Sequence, residues 1–285
     1  MPIRYNDRMS NLLYGRLAWV FSLFSPLKTY RKETAMFSKL IREHARRPVK
    51  TLLHLGCGGG HNDYFFKKPF RVTGVDLSRS MLRQAGKLNP EADYRVGDFR
   101  AVRLGRTFDA VACVDSLDYM TTEKDLTAVF RTAYAHLDPG GVFFFLLETT
   151  RESYRPNRVF SWTFQGRGVA GAFAEAAFAP SRSGMTYEKA MVFLIRKAGK
   201  IKVYSDIHRF GLFRKERILD LLRRSGFKPR CILYKPPAEA IELGGTDPKV
   251  RYPMFFAVKP IGVASTLSTP ANGNPTTSAS VRPGG

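Results

Sequence analysis

Short apolar runs alternate along the chain with longer mixed-polar stretches, and their spacing predicts strand, turn, helix and strand in repeated succession. VKTLLHLG is an apolar run stopped by glycine. RVTGVDLS ends its apolar stretch at Asp76 and passes into RSMLRQAGKL, a helix that Ser78 can cap. ADYRVGDFR and TFDAVACVDS read as a third and a fourth strand. A helix is expected over 123–137, closed by the breaker DPGG. VFFFLLET is then nearly all apolar, as in a strand covered on both faces of a parallel sheet. This order predicts an α/β fold with a Rossmann-like open sheet.

The flanks read differently. The first fifty residues are expected to be helical, with KTYRKETAMFSKLIREHARR turning Met36, Leu40 and Ala45 to one side. After Glu148 the pattern changes to Arg, Gly, Ser and aromatics. MTYEKAMVFLIRKAGKIKVYSDIHRFG predicts two strands joined by a turn at Ala198-Gly199-Lys200, an antiparallel insertion. RKERILDLLRRSGF is a helix with Ile218, Leu221 and Leu222 as its apolar set and Gly226 as its stop. RCILYK and RYPMFFAVKP are the closing strands. From Gly262 onward no apolar periodicity remains, and disorder is expected. The expected organisation is a helical segment at 1–50, a core at 51–150 and 211–260, an insertion after the fifth strand at 151–210, and a disordered tail at 261–285.

Composition narrows this picture. With 285 residues, 44% of them hydrophobic, the chain can bury the core of one large domain carrying an insertion. Leu12 to Leu27 is apolar but interrupted by Arg16 and by Ser, Gly and Pro, too short and mixed for an integral membrane span. Nothing before Thr51 resembles a signal peptide. Cys57, Cys113 and Cys231 fit no zinc spacing and are an odd number, so no metal is expected and a cytoplasmic home is. The formal net charge of +22 is scattered over almost every segment. A generally basic surface accounts for it; an anionic small molecule, nucleic acid or an anionic membrane are the functional alternatives.

The run Gly56-Cys57-Gly58-Gly59-Gly60 sits where the first strand turns into a helix, and glycine there permits positive φ and close approach of a ligand. Asp76 ends the second strand where a carboxylate can accept ribose hydroxyls. Asp98, after Gly97, can accept from an adenine amino group. Two acids at successive strand ends disfavour a diphosphate, and the Lys-Ser or Lys-Thr of a phosphate-cradling loop is missing. A cationic nucleoside suits this site better.

In order and spacing, LHLGCGGG, VTGVDLSRSML, YRVGDF, FDAVACVDSLDYM and AHLDPGGVFFF make residues 51–147 resemble the core of class I S-adenosylmethionine-dependent methyltransferases. The resemblance implies S-adenosyl-L-methionine as cofactor and S-adenosyl-L-homocysteine as product. It implies Gly56, Cys57 and Gly58 under the methionyl part, Asp76 on the ribose, and Asp98 with Phe99 on the adenine. Leu77 and Met81 would line the adenine pocket, and Val114 would complete the cofactor site. His54 departs from the pattern, with a strand-end role and a ligand contact both open. YNDRMS, KTYRKE and SDIHRFGLFRKERILDLLRRSGF resemble small-molecule N-methyltransferases, especially those acting on amino sugars. In that group an N-terminal helical lid covers the cofactor and the insertion shapes the acceptor pocket, which makes Tyr5, Tyr14 and Tyr30 candidates for lid or cofactor contact.

Methyl transfer from a sulfonium is an in-line displacement that needs alignment, exclusion of water and loss of a proton from the acceptor. CVDSLDYM aims Asp115, Asp118 and Tyr119 at the methyl position. Asp118 is the candidate base on ordinary pKa grounds, or else an acid capping the next turn. Tyr119 stands where the amino-sugar enzymes commonly carry a histidine, a departure that favours orientation or a nearby carboxylate. His208 is either an acceptor contact or a structural histidine. Asp115, Glu148, Arg155 and Trp162 are candidates for acceptor binding, with Arg151, Arg158 and Arg167 nearby. The expected function is methyl transfer to a nitrogen or oxygen of a small molecule, an anionic one included, in an enclosed site. An RNA methyltransferase using the basic surface is the alternative; DSLDYM in place of an Asn-Pro-Pro-Tyr-type motif argues against it. A further alternative is a membrane-surface or partner-binding protein that docks through LLYGRLAWVFSLFSPL. A homodimer is left open.

Overall fold

A computed structural model describes residues 12–178, 184–235 and 251–261. Tyr5, the YNDRMS stretch and the tail from Gly262 lie outside these residues. The core sheet follows the order β10-β11-β5-β4-β1-β2-β3. Its parallel part comprises β1 (Thr51–Leu55), β2 (Arg71–Asp76), β3 (Asp93–Val96), β4 (Phe108–Cys113) and β5 (Leu137–Leu146). β10 (Lys228–Tyr234) and β11 (Tyr252–Val258) close one edge, with β11 antiparallel to both of its neighbours.

β5 shows why an unbroken apolar run sits mid-sheet. Its side chains alternate between two fully covered faces. Phe143 and Phe145 pack with Val129 and Phe130 of α5 (Glu123–Ala135) and with Ile218 and Leu222 of α6 (Lys215–Arg224). Val142 and Phe144 meet Phe37 and Ile41 on the other side. The expected breaker DPGG is part of β5 itself; a register shift against β4 between Phe108 and Ala110 absorbs it.

The N-terminal part is less regular than the sequence suggested. Single 3-10 turns at Ala18–Val20 and Leu27–Thr29 flank the one-turn α1 (Phe21–Phe24), and only α2 (Tyr30–His44) is long. The fully buried face of α2 carries Phe37 and Ile41, while Met36, Leu40 and Ala45 pack at its margin. Among the described residues no helix is long and apolar enough to cross a membrane, and no cluster of side chains could hold a metal ion. The three cysteines are free thiols.

After β5 the chain builds a second, fully antiparallel sheet of four strands, not two: β6 (Val159–Gly166), β7 (Val169–Phe178), β8 (Thr186–Lys197) and β9 (Lys200–Gly211). Ala198 and Gly199, both at positive φ, make the β8–β9 turn. The inner face of this sheet, with Phe164, Phe173, Met191 and Phe193, covers Leu13, Leu17 and Val20 of the N-terminal segment. The apolar stretch offered as an alternative membrane-surface element thus packs its buried residues against the insertion, while Trp19 remains 42% exposed.

Candidate active site

The carboxyl edge of the parallel strands opens into a cavity of about 620 Å³, roofed by Tyr14, Phe21 and Tyr30 from the N-terminal segment and α2. Its floor is the turn after β1, which leads into α3 (His61–Phe66). Gly56 takes φ +70°, and a Cβ there would lie 2.3 Å from Ser116 Oγ, the hydroxyl that donates to the Gly56 carbonyl at 2.8 Å. Gly58 takes φ +54°, which directs its N–H onto Asp76 Oδ2 at 2.8 Å. Ser78 N–H donates to Asp76 Oδ1 at 2.7 Å. One carboxylate therefore pins two strand ends and keeps lone pairs for further donors. Burial pushes the Asp76 carboxyl up, opposed by these two bonds. Beside it Leu77 is 53% exposed, an apolar side chain turned into the cavity.

Ser78 caps α4 (Arg79–Leu88) by accepting from Met81 N–H at 3.1 Å, and its hydroxyl donates to the Tyr14 carbonyl at 2.5 Å. Gln84 donates to the Ala18 carbonyl at 2.6 Å. These two bonds, with the apolar contact to the insertion, hold the N-terminal segment over the cavity.

On the opposite wall the 3-10 turn Leu117–Tyr119 follows β4. Asp115 adopts φ +56°, a left-handed conformation that Asp tolerates better than most residues. It opens into the cavity yet is hemmed in by protein, and burial together with the nearby Glu148 pushes its carboxyl up to about 6. Tyr119 lines the same cavity; its hydroxyl donates to Tyr14 Oη at 2.9 Å and lies 2.6 Å from His208 Nδ1.

Two ring nitrogens of the wall make no hydrogen bond among the described residues. His54 is held by Asp63 through Nδ1 (2.6 Å), and its buried Nε2 has no partner. His61 lies against Phe21 and Tyr30, and its Nδ1 is likewise unpartnered. Burial lowers His61 to about 4, so it is neutral at physiological pH. Both rings border the cavity beside the glycine turn. Orphaned polar atoms, a backbone cradle and a spare carboxylate suit a ligand with a zwitterionic end and a ribose, as S-adenosylmethionine has.

The cavity gathers most of the residues singled out in the sequence: Tyr14, Tyr30, the turn Gly56–Gly58, Asp76, Leu77, Asp98, Phe99, Val114, Asp115 and Tyr119. Asp98 arrives already engaged. Arg100 grips it through Nε (3.0 and 3.1 Å) and its terminal nitrogen (2.6 Å), and also reaches Asp125 at 2.9 Å. Burial would raise the Asp98 carboxyl, but the arginine holds it below its usual range. Met81 is buried behind Gly58 and Gly59 and supports the turn from outside the lining.

Asp118 is not on the cavity wall. The 3-10 turn points it inward, where it accepts from the Glu148 N–H at 3.1 Å, and burial pushes it up to about 8. Glu148 and Arg155 border a separate small cavity, where Glu148 pairs with the buried Lys189 at 2.5 and 2.7 Å. Trp162 belongs to the contact between the N-terminal segment and the insertion: its indole donates to the Phe24 carbonyl at 3.1 Å and packs on Phe173. His208 stands behind Tyr119, bonded to it and to Asp206. Sequence reasoning missed His61, Lys189 and Asp206. His61 directly follows the glycine run, a usable signal; the other two depend on strand register.

Residues 52–141 match a family model described as a methyltransferase domain. The chain is 29% identical over 223 residues to dTDP-3-amino-3,4,6-trideoxy-alpha-D-glucopyranose N,N-dimethyltransferase of Streptomyces venezuelae, covering 76% of this chain and 91% of that one. It is also 29% identical over 193 residues to dTDP-3-amino-3,6-dideoxy-alpha-D-glucopyranose N,N-dimethyltransferase of Streptomyces fradiae, covering 67% and 74%. Among solved structures, DesVI of Streptomyces venezuelae superposes with a TM-score of 0.73 at 27% identity, over 86% of this chain and 98% of that one. CalS10, an amino pentose methyltransferase of Micromonospora echinaspora solved with S-adenosylmethionine bound, shares the fold with a TM-score of 0.68 at 22% identity, over 91% and 99%. Cavity, sheet order, antiparallel insertion and these likenesses agree: residues 52–141 form a methyltransferase domain of the S-adenosylmethionine-dependent kind, and the chain as a whole is similar in sequence and fold to the amino-sugar N-methyltransferases.

Proposed function

We propose that the methyl acceptor is an amine nitrogen of a hydroxylated small molecule, of the amino-sugar class on which the similar enzymes act, and that transfer is an in-line displacement. The observation that carries this reading is the charge of the wall after β4. Asp115 and Tyr119 line the cavity there, and the one Lys or Arg among its described lining residues, Arg100, is committed to two aspartates. Such a wall favours a cationic or N–H-bearing group on the part of the acceptor that meets it, over an anionic group at that place.

Bound S-adenosylmethionine supplies an electrophilic methyl group on a cationic sulfur. The chain's own residues bind, orient and exclude water. Asp76 accepts from the ribose hydroxyls, and Leu77 and Phe99 offer apolar faces to the adenine. His54 Nε2 and His61 Nδ1 meet the polar methionyl end. Asp115 orients an N–H of the acceptor, while Tyr119 exchanges a hydrogen bond with it. Tyr14, Phe21 and Tyr30 cover the site. Alignment of this kind supplies about 7–11 kcal/mol of barrier lowering without any covalent intermediate.

Isothermal titration with S-adenosylhomocysteine tests the site. One site per chain is expected, with a dissociation constant on the order of micromolar; a folded sample that gives no heat overturns the assignment.

A further inference from the structure

We propose that Tyr119, His208 and Asp206 form a proton relay that receives the proton given up by the acceptor amine, and that docking of the N-terminal segment completes it. The proposal rests on the amine reading above.

Asp206 and His208 are two residues apart on β9, so both side chains fall on its inner face. His208 is 1% exposed and Asp206 9%. His208 Nε2 lies 3.0 Å from Asp206 Oδ2, and its Nδ1 lies 2.6 Å from the Tyr119 hydroxyl that borders the cavity. A continuous hydrogen-bonded line therefore runs from the cavity wall into the insertion. Asp206 Oδ2 also accepts the Leu13 N–H at 3.1 Å, and Tyr119 donates to Tyr14 at 2.9 Å. The segment that covers the cofactor cavity thus touches both ends of the line.

The same heavy-atom positions serve two proton states. With Tyr119 donating to Tyr14, both imidazole nitrogens donate, Nδ1–H to Tyr119 and Nε2–H to Asp206, and the relay is loaded. Rotation of the Tyr119 hydroxyl hydrogen onto Nδ1, with Tyr14 then donating to Tyr119, gives the unloaded form. Burial would raise Asp206, but its bonds from His208 and from the Leu13 N–H hold it below its usual range, so a carboxylate is present to neutralise an imidazolium. Burial pushes Tyr14 up to about 12, which keeps it a neutral donor. The other charged groups facing His208 are Lys189, directly across on β8, and Glu175 on β7. Lys189 is itself paired with Glu148 and Glu175.

In the step, an N–H bond of the acceptor ammonium breaks, and its proton passes to Tyr119 Oη. The phenol's own proton moves to His208 Nδ1. The freed nitrogen lone pair forms the new N–C bond as the C–S bond breaks, the bonding pair staying on sulfur. Asp206 and His208 act as positioning residues behind Tyr119.

The test uses the full chain with dTDP-3-amino-3,4,6-trideoxy-α-D-glucopyranose as probe acceptor, comparing the parent protein with Asp206→Asn and Tyr119→Phe. Expected are losses in kcat of about 10²-fold in both, with S-adenosylhomocysteine affinity within about twofold of parent. The Asp206→Asn kcat–pH profile should differ in shape from the parent's, and Asp206→Glu, which returns a carboxylate to His208 Nε2, should recover most of the lost kcat. Tyr119→Phe gives up the Tyr119–Tyr14 contact but leaves the Asp206–Leu13 bond intact, so S-adenosylhomocysteine affinity reads any loss of docking separately from the loss of the relay. Parental rates in both variants, a slower Asp206→Asn with an unmoved pH profile, or a cofactor affinity that falls in step with kcat would each overturn the relay. A parent that binds S-adenosylhomocysteine but never methylates the probe contradicts the amine reading beneath it.

Discussion

Asp76 carries more than one duty. It ties the glycine turn to the end of β2 through Gly58 N–H and Ser78 N–H, and in the proposed role it accepts from the ribose. Asp76→Ala should weaken S-adenosylhomocysteine binding by about 1.5–3 kcal/mol, the range of a hydrogen bond to a charged group, read by calorimetry. Asp118 behaves differently because it is buried away from the cavity. Its carboxyl is raised to about 8 in the folded chain, by burial first and then by Glu148. The stability it contributes is complete below its unfolded value near 4 and is lost as pH rises through the folded value. Asp118→Asn keeps an acceptor for the Glu148 N–H and should turn over at near-parental rate. Its melting temperature should gain on the parent between pH 5 and 9, by at least about 2–4 °C at the upper end. A variant that melts in parallel with the parent across that range would mean that Asp118 does not titrate in the folded chain. The contrast marks the limit of sequence reading at this scale. The place of Gly56, Gly58 and Asp76 on the cavity was legible because backbone position alone fixes it. Asp118 was not, since rotation within one 3-10 turn decides whether it or Tyr119 meets the cavity. Asp98 was only half legible, its carboxylate being captured by an arginine two residues on.

Elements differed in the same way. β5 and β8 were legible because their patterns point to one environment each, two covered faces or one. β6 and β7 were not: GVAGAFAEAAF is Ala- and Gly-rich, with little intrinsic strand preference, and it forms a strand because β6 and β8 pair with it on either side. The N-terminal segment failed as a continuous helix because it is shaped by what it covers. Ser78 joins two elements at once, capping α4 and holding the Tyr14 carbonyl. Ser78→Ala should cost about 1 kcal/mol from the cap alone and lower the melting temperature by about 2–4 °C. It should also speed proteolytic cleavage within residues 12–20, since the tether is lost. Parental cleavage kinetics would leave the apolar contact with the insertion as the sufficient anchor.

At the scale of the molecule, the charge of +22 is spread over the surface, while the wall after β4 is acidic. The bulk number therefore says little about the acceptor. The apolar stretch Leu12 to Leu27 gains its meaning from the whole fold, since Leu13, Leu17 and Val20 are already buried under the insertion. Full-length protein saturated with S-adenosylhomocysteine should not float with anionic vesicles; robust flotation in that state would show that the segment leaves its site for lipid.

The central claim is that an amine is methylated in this cavity. Its most direct test follows radiolabelled methyl transfer from S-adenosylmethionine to dTDP-3-amino-3,4,6-trideoxy-α-D-glucopyranose and to the analogue bearing a hydroxyl in place of the amine. The account predicts label in the amine alone, with transfer reduced at least about 10-fold by Asp115→Asn, within the range of a lost orienting or proton-accepting group. Label in the hydroxyl analogue at a comparable rate, or in neither compound by a protein that binds S-adenosylhomocysteine, would contradict it.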